Sequence, residues 1–185
     1  MSARIIDGKA ASHHVRQDCK KWTDELIAKG VMPGLAVVIV GDNPASMVYV
    51  ANTVRACHEV GLHSKVHAFD ANMFDHLVFE KILALNADQN VQGKLVQLPL
   101  PKHFDVRRIL GTIYVDKDVD GFHLYNVGAL AHGETVFPPC TPYGVSKMLE
   151  HESIPVEGQN VVVVGASNIV GKPMAMVLKQ RDATV

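Results

Sequence analysis

The unbroken apolar run LAVVIV at residues 35–40 constrains this chain more than any other feature. It is rich in β-branched residues and has no polar alternation, which predicts a parallel strand covered on both faces. A strand of that kind needs helices on either side, so the fold class it implies is α/β. Asn43 followed by Pro44 reads as an N-cap with proline at the first helical position, opening a helix that runs to Gly61. A short strand follows at 65–68, then a helix marked by Leu77, Val78, Ile82 and Leu85, then a strand at 93–98 broken by Pro99 and Pro101. This β-α-β-α-β order predicts a parallel sheet.

Upstream, Val15, Cys19, Trp22 and Leu26 recur at helical spacing, predicting an amphipathic helix that ends near Gly30. Downstream, a short helix is expected over 106–113, and residues 116–139 read as loop with short strands. Thr141-Pro142 repeats the N-cap and proline signal and predicts a helix to about His151. The valines of 160–164 predict another buried strand, which leads through Gly165 to Gly171 into a helix ending near Gln180. Thr184 and Val185 read as the start of a further strand, so the sequence is expected to stop inside a β-α-β unit.

Charge and cysteine usage narrow the function classes. Eighteen Lys and Arg stand against 19 Asp and Glu, which leaves no polycationic surface and argues against nucleic acid as a partner. The three cysteines, Cys19, Cys57 and Cys140, form no C-x-x-C pair, and a reduced cytoplasmic setting is expected. No stretch approaches the ~20 apolar residues of a membrane span, so no membrane partner is expected. The ten histidines are scattered, and His13 and His14 point to different faces of a helix, so no metal site is predicted.

The turn after the valine strand carries chemistry. A glycine turn between a buried strand and a helix lets backbone N–H groups face a pyrophosphate. Here the pattern is Gly165-x-Ser167-x-x-x-Gly171, which departs from G-x-G-x-x-G by a serine at the second glycine and a last glycine one residue late. By pattern alone it fits a phosphate cradle and an ordinary tight turn equally.

Five segments in order, GDNPAS at 41–46, VQLPLP at 96–101, DKDVDGFH at 116–123, PCTP at 139–142 and GASNIVGKP at 165–173, resemble the bifunctional methylenetetrahydrofolate dehydrogenase/cyclohydrolase family. The resemblance spans nearly the whole chain. It implies a folate-binding β-α-β domain over residues 1–140. A connecting helix and the first β-α unit of an incomplete Rossmann-like NADP-binding domain follow over 141–185. It also implies NADP as cofactor, with Gly165, Ala166 and Ser167 along its phosphates, and a homodimeric parent enzyme. Tyr49, Val96, Gln97, Leu98 and Asp120 would contact folate. One carboxylate, Asp120, can accept both an N–H and an exocyclic amino group of a pterin. Tyr49 could instead be a half-buried core aromatic and Asp120 a turn residue before glycine.

One position breaks the likeness. The family carries a lysine four residues after Tyr49, the acid/base group of the cyclohydrolase step, and here Thr53 stands there. A threonine hydroxyl does not titrate in a useful range and is too short to replace an ammonium. Arg55 lies about 200° around the helix and stays protonated. The implied activity is therefore NADP-dependent oxidation of methylenetetrahydrofolate and hydrolysis of the methenyl product, impaired in this chain. The alternative is an inactive shortened homologue that at most binds folate.

Overall fold

The computed structural model describes residues 3–185, and the chain divides into two compact units. The first comprises Arg16–Val119 and the second residues 3–15 with Asp120–Val185. Helix α1 (Gly8–Ala28) straddles the division.

The first unit is built on a three-stranded parallel sheet of order β2-β1-β3, made of β1 (Gly34–Val40), β2 (His63–Phe69) and β3 (Gly93–Val96). β1 is central and fully paired on one side, with Gly34 opposite His63 and Val40 opposite Phe69. On its other side Leu35 faces Gly93 and Val38 faces Val96. Helices α2 (Pro44–Val60), α3 (Asp75–Ala87) and α4 (Val106–Thr112) complete the unit, with a 3-10 turn at Val115–Lys117. The alternation of β1 sorts its side chains into two cores. Ala36, Val38 and Val40 pack with Val78, Ile82 and Leu85 of α3 and Ile109 of α4. Val37 and Ile39 pack with Val50 of α2 and Leu95 of β3. Each such buried side chain contributes about 1.5–3 kcal/mol, which is why a short sheet suffices.

The cap signals of α2 are realised: Asn43 Oδ1 accepts from the N–H groups of Ala45 and Ser46, and Gly61 ends the helix at φ 82°. The expected apolar stripe of α1 is different. Trp22 is 63% exposed, Val15 and Leu26 are also exposed, and the buried positions are Ala11 and Thr23. Thr23 lies close to Gly61 at the end of α2, so helix-end packing selects a small residue over the bulky apolar ones.

In the second unit the region read as loop contains a helix, α5 (Leu124–His132). His123 Nδ1 accepts from the N–H of Tyr125 at its start, Gly133 closes it at φ 96°, and Asn126 and Leu130 are buried one turn apart. Helix α6 (Cys140–His151) begins one residue before the expected cap at Thr141 and has no side-chain cap. The valine run before α7 (Gly171–Lys179) is not a strand buried on both faces. It makes one isolated parallel bridge, Asn160 to Thr184. Val161 and Val163 pack on the core of Leu130, Val156, Met174, Val177 and Leu178, while Val162 and Val164 are 86% and 98% exposed. With one short partner the run adopts a one-sided, period-two burial instead. No helix among the described residues is long and apolar enough to cross a membrane.

Two lysines sit beneath the sheet on the α3 side. Lys117 Nζ donates to the carbonyls of Asn86 and Asp88 at 2.9 and 2.8 Å, satisfying the C-terminal end of α3. Lys94 of β3 is only 1% exposed, and its Nζ, 5.5 Å from the Tyr114 ring centre, has no hydrogen-bond acceptor. Burial, together with the nearby Lys117, pushes its pKa down to about 8, against the opposing pull of Asp118. The unfolded chain holds this proton up to about 10.5, so between pH 8 and 10.5 the unfolded state binds more protons and Lys94 makes stability rise with pH. Below pH 8 the full penalty applies. Lys94→Met is expected to stabilise the chain by about 1–3 kcal/mol at pH 7 and to flatten that rise. Urea unfolding at pH 7, 8.5 and 10 checks both, and an unchanged pH slope would show that Lys94 is not the titrating group.

Candidate functional site

The first unit gathers polar groups at the C-terminal ends of its strands, where open parallel sheets present ligand-binding groups. β1 ends at Val40, and Gly41, at φ 82°, donates its N–H to Phe69 O at 2.9 Å. The Asn43 cap then fixes the start of α2 just beyond the strand. Tyr49 and Thr53 are one turn apart on this helix, next to the stripe of Val50 and Val54 that packs on the sheet. Tyr49 is 48% exposed beside the equally open Met47 and Val48. Thr53 is half-buried, and its Oγ1 donates to Tyr49 O at 3.0 Å.

Gln97 continues the pairing of β3, its N–H donating to Val38 O at 2.8 Å. Its alternation follows Leu95, which belongs to the α2-side core, so its side chain leaves the sheet on the α2 face. Its Nε2 donates to Leu98 O at 2.7 Å, while Oε1 is buried and without a donor. An amide oxygen left bare in this way costs about 1–3 kcal/mol unless something donates to it. Val96 is buried in the α3-side core and Leu98 packs against that core, so Val96 offers a ligand only its backbone. Arg55 is exposed and donates to Asn52 Oδ1 at 3.3 Å. Lys94 shares the alternation of Val96, which directs it to the face of the sheet opposite α2. Neither cation stands in for the amine missing at position 53.

Tyr49, Thr53 and Gln97 thus belong to one unit, whereas Asp120 is the first residue of the long segment of the other. Asp120 is half-buried and precedes Gly121, where φ is 66° and a Cβ would stand 2.3 Å from Phe137 O. Only glycine fits that approach, so the turn orienting Asp120 is pinned against the segment before α6. His123, read as part of the same motif, serves as the cap of α5; a polar residue ahead of a helical stretch was the signal for it.

The glycine turn before α7 lies wholly in the second unit. A Cβ at Gly171 would stand 2.2 Å from Gly165 O, so the strand end and helix start are packed backbone to backbone. Ser167 Oγ accepts from the N–H groups of Val170 and Gly171 at 3.1 and 3.2 Å, and therefore does the work of a cap. Ala166 and Ser167 are exposed, and Lys172 adds a cation at the first turn of the helix. The loop borders an apolar cavity of about 500 Å³ lined by Val161, Val163, Val170 and Met174. The close glycine contact and the open backbone above it fit a cofactor pyrophosphate. No cluster of side chains among the described residues could hold a metal ion.

Residues 6–120 match the tetrahydrofolate dehydrogenase/cyclohydrolase catalytic domain, and residues 139–185 match the NAD(P)-binding domain of the same enzymes. The bifunctional protein FolD of Nitrosospira multiformis is 58% identical over 185 residues, covering 100% of this chain and 64% of that protein. FolD of Bordetella bronchiseptica is 54% identical, with 100% and 65% covered. The crystal structure of the bifunctional enzyme FolD from Campylobacter jejuni superposes with a TM-score of 0.94 at 45% identity, covering 100% of this chain and 66% of that one. A Trypanosoma brucei dehydrogenase-cyclohydrolase, solved with NADP cofactor and inhibitor, gives 0.95 at 32% identity, covering 100% and 64%. The chain spans about two thirds of the length of the curated relatives it matches. A catalytic-domain match over most of the chain, carried on the α/β scaffold and glycine turn described above, shows that it belongs to the tetrahydrofolate dehydrogenase/cyclohydrolase family.

Proposed function

We propose that this chain carries the folate site and the first phosphate-binding turn of an NADP-dependent methylenetetrahydrofolate dehydrogenase, with the cyclohydrolase step weakened by Thr53. The observation that carries the reading is the bare, buried Oε1 of Gln97 on the α2 face of the sheet, the face that also receives α2 with Tyr49 and Thr53. A folate N–H donating to that oxygen would remove its desolvation cost, and the Tyr49 ring with Met47 and Val48 offers an apolar surface to an aromatic ring system. Asp120 would accept two N–H bonds from the pterin, and Leu98 and the backbone of Val96 would border it.

When bound, NADP supplies a hydride acceptor, and Gly165, Ala166, Ser167 and the start of α7 would hold its phosphates. Hydride transfer needs no protein nucleophile, only donor and acceptor held at a near-attack separation of about 3–3.5 Å. Hydrolysis does need a titrating group. Thr53 has its hydroxyl proton committed to Tyr49 O and cannot serve. That commitment also supports the second reading, in which the chain binds folate without turning it over. The domain division at residues 140 and 141, a homodimeric assembly and a cytoplasmic location belong to the same proposal, the last resting on three free cysteines.

Thr53→Lys, made in a protein that joins this chain to the C-terminal third of the Nitrosospira relative, is expected to raise cyclohydrolase turnover by about 10²–10⁴ and dehydrogenase turnover far less. Separate assays with methenyl- and methylenetetrahydrofolate decide it. An unchanged hydrolysis rate would mean that another residue moves the proton. Asp120→Asn keeps the shape but loses charge and one acceptor, and is expected to weaken folate binding about 10- to 100-fold by calorimetry. Unaltered affinity would remove Asp120 from the site.

A further inference from the structure

On the other face of the same sheet lies a cavity of about 450 Å³ between β2 and α3. It runs from Leu35 and His63 along β2 to His67, which pairs with Val38, and it lies on the face of the sheet opposite to Gln97. Two lysines in its polar lining stand against one carboxylate. His63, Lys65 and His67 alternate on one face of β2, and Lys81 reaches it from α3, against the single carboxylate of Asp88. Asp88 Oδ1 already accepts from Asn90 N and Nδ2 at 2.9 and 3.2 Å. Neither Lys65 nor Lys81 has an ion-pair partner among the described residues, and His67 Nε2 is buried with no hydrogen-bond partner. Met32, Leu35, Ala84, Leu85 and Val91 form the apolar part of the wall.

Unpaired cations gathered around a buried ring nitrogen repel one another unless an anion sits among them. We propose that this cavity binds a phosphate group, with Lys65, Lys81 and His67 Nε2 donating to its oxygens. Charge-assisted bonds from two ammonium groups and an imidazole match the several acceptor oxygens of a phosphate. The cavity is larger than the ion alone, and its apolar wall suits the organic body of a phosphomonoester. Burial and the nearness of Lys81 and Lys65 hold the His67 pKa below its usual value, and a bound anion reverses the effect of both lysines. Sequence reading missed the site, although H-x-K-x-H at 63–67 was its signal: strand alternation places all three side chains on one face.

The test titrates the 185-residue chain at pH 7 with inorganic phosphate and, separately, with phenyl phosphate, by calorimetry. The expected result is saturable binding of at least one, reduced about tenfold or more in Lys65→Ala/Lys81→Ala, whose altered side chains lie outside both cores. Tighter binding of phenyl phosphate would identify a phosphomonoester, equal binding the free ion, and either sustains the site. In the unaltered chain the His67 ring-proton titration followed by NMR should move to higher pH on ligand addition. Absence of saturation with both ligands overturns the proposal, as does binding that survives the double substitution, which would assign the phosphate to the glycine turn instead. An unmoved His67 titration at saturation overturns it too.

Discussion

Burial of β1 on both faces is the constraint from which the remaining geometry follows. Val37 and Val38 are adjacent and both fully buried, so one strand must be covered by helices on opposite sides and paired along both edges. Once α2 takes one face and α3 the other, parallel pairing sends every strand end the same way. The turns after β1 and β3 then converge at one edge of the sheet. Gly41, Asn43 and Gln97 are there because Val40 and Val96 end strands that lie side by side. The site is thus a by-product of packing, and its polar groups are those that a strand end can present without burying a charge.

The same alternation explains why loss of the family lysine at position 53 is not compensated nearby. Lys94 is two residues from Val96 and three from Gln97, yet a one-residue difference in strand phase directs it to the α3 core. There it meets Lys117, which is fully used in satisfying the carbonyls at the end of α3. Position 53 itself is closed to rescue by Arg55, since residues two apart on a helix do not share a face.

What could be read from residues alone was what local chemistry dictates. The Asn43-Pro44 start and Gly61 stop of α2 follow from unpaired backbone groups at helix ends, and the 35–40 run could satisfy its burial only as a central strand. The misreadings came where neighbours decide. The valines of 160–164 have the composition of a central strand, but the bridge to Thr184 gives them one partner and one buried side. Helix α5 lacks a long apolar period, and is held instead by the His123 and Gly133 ends and by Asn126 and Leu130 in its interior. The Trp22 stripe of α1 had the right spacing, but close approach at Gly61 favours Thr23. At the site, Tyr49, Gln97 and Asp120 were named by family likeness; the bare state of Gln97 Oε1 depends on a hydrogen bond to Leu98 O that no spacing rule encodes.

The two faces of the sheet also differ electrostatically, although the chain as a whole carries a net charge of only −1. The α2 face ends in neutral donors and acceptors, Gln97 and Thr53, with the Asn43 cap beyond it. The α3 face carries Lys65, His67, Lys81, Lys94 and Lys117 within one unit, balanced mainly by Asp88 and Asp118. Charges on opposite faces of a sheet are separated by a low-dielectric layer of valine and isoleucine, through which the field of one side reaches the other with little screening. An anion bound on the α3 side would therefore lower the positive potential felt at the strand ends. It would do so without moving a backbone atom, because Val37, Val38 and Ile39 leave the sheet no slack to deform. Any influence of that cavity on the folate end would travel as potential rather than as displacement.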